Sequence, residues 1–114
     1  MRMELDREQN TAVVFLENRL DASTAPEFKN FINDLTKKQY INLVVDLANV
    51  QFIDSSGLGV LVTALRSVSQ QGGDIKISGP TPEVQSLFSL TRLDKVFDIV
   101  GDVRTALGHF HHVA

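Results

Sequence analysis

Short apolar runs rich in β-branched residues alternate along this chain with segments whose apolar residues recur at helical spacing. That alternation restricts the fold more than any other feature of the sequence. Met1, Met3 and Leu5 alternate with charged residues, the pattern of a half-exposed edge strand. Ala12-Val13-Val14-Phe15-Leu16 and Leu43-Val44-Val45-Asp46-Leu47 are runs of the kind buried in a sheet. Asp74-Ile75-Lys76-Ile77-Ser78 alternates as a further strand, and Val96, Phe97, Ile99 and Val100 predict a short last one. Between them, Phe28, Phe31, Ile32 and Leu35 share one helical face, as do Leu58, Leu61, Val62, Leu65 and Val68. Val84, Leu87 and Phe88 mark a third helix, and Val103, Ala106, Leu107 and Phe110 a fourth.

The helix boundaries carry their own signals. Thr24 is placed to cap the first helix, with Pro26 in its first turn and Glu27 completing a capping box. Lys37 and Lys38 suit its negative end. Gly72-Gly73 ends the second helix, Thr81-Pro82 opens the third and Asp102 caps the fourth. The predicted order is β-β-α-β-α-β-α-β-α. Strands joined through helices form a mixed, largely parallel sheet flanked by helices, an α/β fold.

With 114 residues, 1–114 reads as one domain. Hydrophobic residues make up 43% of the chain, enough for a real core. The net charge of -3 argues against nucleic acid as a partner, because binding phosphates needs a basic stripe. There is no Cys, which removes disulfides, thiolate metal sites and Cys nucleophiles. The first ten residues carry five charges and no apolar run, unlike a signal peptide, and the Ala12–Leu16 run is too short to span a bilayer. The expectation is a cytoplasmic protein with no membrane partner.

One segment stands out, Asp46-Leu47-Ala48-Asn49-Val50-Gln51-Phe52-Ile53-Asp54-Ser55-Ser56-Gly57-Leu58-Gly59. It reads as a strand end, a polar turn and a helix start. Asp54 is placed to accept orphan N–H groups of the first turn. Ser55 follows at the positive end of the helix dipole, where a phosphate is well tolerated. Gly57 and Gly59 fall inside the helix, each at a cost of about 1 kcal/mol relative to Ala. Something must come close to that backbone, either the sheet beneath or a partner above. Plain capping and tight packing explain the same residues.

The string Asp54-Ser55-Ser56-Gly57-Leu58-Gly59, following Val44-Val45-Asp46-Leu47, resembles the signature of STAS domains, specifically bacterial anti-sigma factor antagonists. Leu20-Asp21, Gly72-Gly73-Asp74, and Leu87-Phe88 with Leu93 and Phe97 resemble that family too, so the likeness covers nearly the whole chain. It implies a STAS-like mixed sheet, and a phosphoacceptor at Ser55 in preference to Ser56, whose side chain turns about 100° away and is placed to bond backbone locally. It implies partner switching. The unphosphorylated protein binds an anti-sigma factor that is also a serine kinase, phosphorylation releases it, and a serine phosphatase restores it. The docking surface so implied takes in Asp21, Thr24, Asp54, Ser56, Gly57 and Leu58, with Leu58 also suited to the core. The alternative is a STAS accessory subunit of a membrane lipid or anion transport system.

Other sites are weaker. His109, His111 and His112 lie in a tail with no nearby Cys and no Asp or Glu after Asp102, which favours a surface end over a metal site. Gly57-x-Gly59 lacks the Lys and the wider spacing of a phosphate loop, so no cofactor is expected. Ser55 as a hydrolytic nucleophile lacks a base, since every His is in the tail; an enzyme is not expected. Asp46, within an apolar strand, is expected to bond nearby turn amides. Phe28, Phe31, Phe52, Phe88 and Phe97 are all expected in the core.

Overall fold

The computed structural model describes residues 1–110. Its elements run β1 (Arg2–Asp6), β2 (Thr11–Leu20), α1 (Ala25–Lys37), β3 (Asn42–Ile53), α2 (Ser55–Ser69), β4 (Asp74–Ser78), α3 (Pro82–Leu90), β5 (Asp98–Val100) and α4 (Val103–Phe110). A 3-10 turn at Leu93–Lys95 precedes β5. This is the predicted order. The strands form one sheet in the order β1-β2-β3-β4-β5. The tight turn after Asp6 makes β1 antiparallel to β2, whereas β2 to β5, each reached through a helix, are parallel.

The side-chain alternation of the strands decides what covers each face. Val14, Leu16, Leu43, Val45, Leu47, Ile75 and Ile77 are buried on one face. They meet Phe28, Ile32 and Leu35 of α1, Leu61 and Val68 of α2, and Val84 and Phe88 of α3. Val13 and Val44 are buried on the other face against Ala106 of α4. Polar contacts hold α4 there as well. His109 Nδ1 is 2.6 Å from Asp98 Oδ2 on β5, and Lys76 Nζ on β4 lies 3.3 Å from the same oxygen. Lys76 also stacks over the Phe110 ring. Among the described residues no helix is long and apolar enough to cross a membrane.

Three sequence expectations need correction. Phe52 is not in the core: β3 runs on past its apolar stretch, and the alternation that buries Ile53 turns Phe52 outward, leaving it 54% exposed. Val96 lies outside the last strand and is exposed, while Phe97 turns inward, its ring edge-on to Phe88 at 6.0 Å. Asp46 bonds across the sheet and not to a turn, because its register partner on β4 is Ser78, whose hydroxyl donates to Asp46 Oδ1 at 2.8 Å. Phe31 is half-buried at the margin of the core, and Phe28 and Phe88 are fully inside.

Candidate functional site

The C-terminal ends of β2 and β3 lie side by side, with Leu20 paired to Ile53. Each strand leads into a helix there, so two helix starts emerge together. Asp54 joins them. Its backbone N–H donates to the Leu20 carbonyl at 3.3 Å. Its Oδ1 accepts from the Gly57 N–H at 2.9 Å, capping α2 as the sequence predicts. Its Oδ2 accepts from the Ala22 N–H at 3.2 Å, in the turn before α1. One carboxylate thereby fixes the α2 start against the neighbouring turn.

That turn is organised by Asp21 and not by Thr24. Asp21 Oδ1 accepts from the Ser23 hydroxyl at 2.6 Å and from the backbone N–H groups of Ser23 and Thr24 at 3.0 and 3.2 Å. The Thr24 hydroxyl accepts from the Asp21 N–H at 2.9 Å and donates back to the Arg19 carbonyl at 3.2 Å. Thr24 itself has helical backbone angles, so its side chain points back into the turn and does not cap α1. The expected capping box with Glu27 does not form; the turn closes one step earlier, with the Asp21 carbonyl accepting from Ala25 N–H at 2.8 Å. The Ser23 hydroxyl above all, then the turn's backbone N–H groups and Arg19, holds the Asp21 carboxyl below the usual carboxylate range.

Ser55 and Ser56 are both exposed in the first turn of α2. Among the described residues neither hydroxyl has a hydrogen-bond partner, so Ser56 does not bond the backbone as expected. The first-turn N–H groups point the same way and, at a helix start, have no partner within the helix. Their partial positive charge offsets the two nearby carboxylates when an anion is placed there.

The two glycines divide the roles that the sequence left open. A Cβ at Gly57 would lie 2.1 Å from the Leu20 carbonyl oxygen and 2.9 Å from Ile53 Cγ2, so the sheet beneath requires glycine here. A Cβ at Gly59 would meet nothing within 4 Å, and the residue is exposed. Gly57 and Leu58, at 8% exposure, lie beneath the surface, which leaves Asp21, Thr24, Asp54, Ser55, Ser56 and Gly59 on it. Sequence reasoning missed Phe52, three residues before Ser55 on the outward side of β3. At this strand end Val50 and Ile53 are buried while Gln51 and Phe52 between them are exposed, a break in the alternation that the residue types alone do not announce.

Of the tail histidines, only His109 lies among the described residues. His109 is engaged with Asp98, and His111 and His112 lie outside the described residues. Among the described residues no group of His, Cys, Asp or Glu is arranged to hold a metal.

The STAS domain family profile matches residues 2–106. An anti-sigma-B factor antagonist of Listeria monocytogenes is 32% identical over 94 residues, 82% of each chain. An anti-sigma F factor antagonist of Paenibacillus polymyxa is 28% identical over 94% of this chain and 92% of its own length. The crystal structure of an anti-sigma factor antagonist from Mycobacterium paratuberculosis superposes with a TM-score of 0.83 at 26% identity, covering 96% of this chain and 91% of that one.

Proposed function

The chain belongs to the STAS domain family, with anti-sigma factor antagonists among its relatives, and on that premise we propose that it is itself an anti-sigma factor antagonist switched by phosphorylation at Ser55. The Ser55 switch lies within one STAS domain, read as 1–114, whose family profile matches residues 2–106. The unphosphorylated surface around the α2 start binds an anti-sigma factor that is also a serine kinase, and the sigma factor is released. The kinase transfers the γ-phosphoryl group of ATP to Ser55 Oγ; ADP leaves and the hydroxyl proton passes to a base on the kinase. A serine phosphatase then hydrolyses the phosphoserine, water taking up the phosphoryl group as inorganic phosphate and the Ser55 hydroxyl being restored.

The observation that carries this reading is Gly59. A glycine in a helix costs about 1 kcal/mol relative to Ala, and none of the described residues fills the space above this one. A partner backbone laid across the first turn of α2 makes use of that space. The neighbouring side chains suit docking. Phe52 offers an exposed aromatic of the kind that anchors interfaces, with Asp21, Thr24, Asp54 and Ser56 as the polar rim. Phosphate at Ser55 adds bulk and a near-double negative charge beside Asp54, which opposes docking, while the helix N-terminus tolerates it and the fold persists.

The protein acts by binding and not by catalysis. Among the described residues Ser55 has no base within hydrogen-bond reach, and the one described histidine pairs with Asp98 on β5. The test is incubation with the cognate kinase and ATP followed by mass spectrometry. The reading expects one phosphate, on Ser55, and none on Ser55→Ala protein. Phosphate on Ser56, or wild-type phosphorylation of Ser55→Ala, refutes it.

A further inference from the structure

β1 is an outer strand of the sheet, paired to β2 on one side only, and every residue in it is exposed. Its outer backbone groups form an open template for a further strand. The side chains alternate strictly. Met3 and Leu5 lie opposite Val14 and Ala12 on the face shared with α1; both are exposed, at 39% and 48%. Arg2 and Glu4 lie opposite Phe15 and Val13 on the other face. The Glu4 side chain has no ion pair or hydrogen bond among the described residues, and the Arg2 side chain is engaged only over the Phe15 ring, at 4.1 Å. This edge therefore carries one unpaired anion, one cation without a carboxylate, and an uncovered apolar row.

We propose that β1 pairs antiparallel with β1 of a second copy of this chain, about a two-fold axis at Met3, joining two sheets into one. In that register each residue faces the one whose number completes the symmetry about Met3. Arg2 then faces Glu4 of the second copy, and Glu4 faces its Arg2, so both unpaired charges are matched twice. On the other face Met3 meets Met3 and Met1 meets Leu5, apolar against apolar. The contact is isologous and closes as a dimer, which a heterologous contact does not. A pairing this short buries less than the roughly 1,000 Å² of a stable interface, so the dimer is weak and concentration-dependent. Ser55, at the start of α2 beyond the end of β3, lies outside the paired strands, while Met1 at the margin of the pairing borders Arg19 and Thr24.

Sedimentation equilibrium on the full chain from about 10 μM to about 1 mM tests this, a range suited to an interface of that size. The weight-average mass should rise from 12.6 kDa toward twice that value with concentration. Arg2→Glu sets acid against acid in its own dimer, and Glu4→Arg sets base against base, so each variant alone should stay monomeric. An equimolar mixture of the two restores both charge pairs and should regain the dimer at wild-type concentration. The mixture also shows that neither variant failed merely by unfolding. A wild type that stays monomeric throughout, single variants that dimerise like wild type, or a mixture no more dimeric than its components would each overturn the proposal.

Discussion

Replacing Gly57 and Gly59 one at a time by alanine should move stability in opposite directions, although the two lie two residues apart in the same helical turn. At Gly57 the added Cβ would lie 2.1 Å from the Leu20 carbonyl oxygen, against about 3.5 Å for ordinary contact. The obstacle is backbone, so no side-chain rotation relieves it. The first turn of α2 must retreat by about 1 Å, which strains the Asp54 N–H bond to Leu20 and the bond from Gly57 N–H to Asp54. Overpacking costs about 1–3 kcal/mol, a weakened cap adds about 1, and better helix propensity returns up to about 1. The net loss is about 2 kcal/mol, a fall in melting temperature of roughly 5–10 °C for a domain of this size. At Gly59 nothing opposes the methyl group, and propensity alone gives about 0.5–1 kcal/mol of stabilisation. Urea and thermal unfolding followed by circular dichroism measure both. A Gly57→Ala protein as stable as wild type, or a Gly59→Ala protein less stable, would refute the division of roles. Gly59→Ala should also bind the anti-sigma factor more weakly while melting higher, which separates docking from folding.

Other perturbations follow the same geometry. Asp54→Ala removes both the α2 cap and the tie to Ala22 and should cost about 1–2 kcal/mol in urea unfolding. Ser78→Ala takes the hydroxyl from the buried Asp46 carboxylate and should cost about 1–3 kcal/mol by the same assay. Phe52→Ala should leave the melting temperature unchanged, because the ring is exposed, yet weaken partner binding at least tenfold, about 1.4 kcal/mol, in a calorimetric titration. The hydrogen bond to His109, and then Lys76, holds the Asp98 carboxyl below its ordinary range. A depressed carboxylate favours the fold above its unfolded value and loses that contribution as pH falls through the folded one. Stability should therefore decline below about pH 4, and Asp98→Asn should flatten that decline in pH-dependent unfolding.

The fold was legible because its strands and helices announce themselves by period. Runs such as Leu43–Leu47 and the Leu58, Leu61, Val68 stripe each bury the face that their spacing indicates. The Asp54 cap was legible because capping is local chemistry, decided within three residues. What escaped the sequence depends on neighbours distant along the chain. Thr24 and Asp21 are both placed to close the same turn, and it is Asp21 that accepts from Ser23 and Thr24, just after β2 leaves its regular register at Asn18. Asp46 meets Ser78 because of sheet register, which links positions 32 residues apart. Phe52 looks like core by type and is surface by phase. Gly57 and Gly59 are indistinguishable as letters; the Leu20 carbonyl under one and open space over the other separate them.

The central claim is that a phosphate on Ser55 abolishes docking without disturbing the fold. Its most direct measurement is a titration of the cognate anti-sigma kinase with unmodified protein and with protein stoichiometrically phosphorylated at Ser55, alongside thermal unfolding of both forms. The account predicts at least a hundredfold weaker binding for the phosphorylated form, about 2.7 kcal/mol, with melting temperatures within a few degrees of each other, since the helix dipole offsets the added charge. Equal binding by the two forms, or a phosphorylated form that has lost its cooperative unfolding transition, would contradict it.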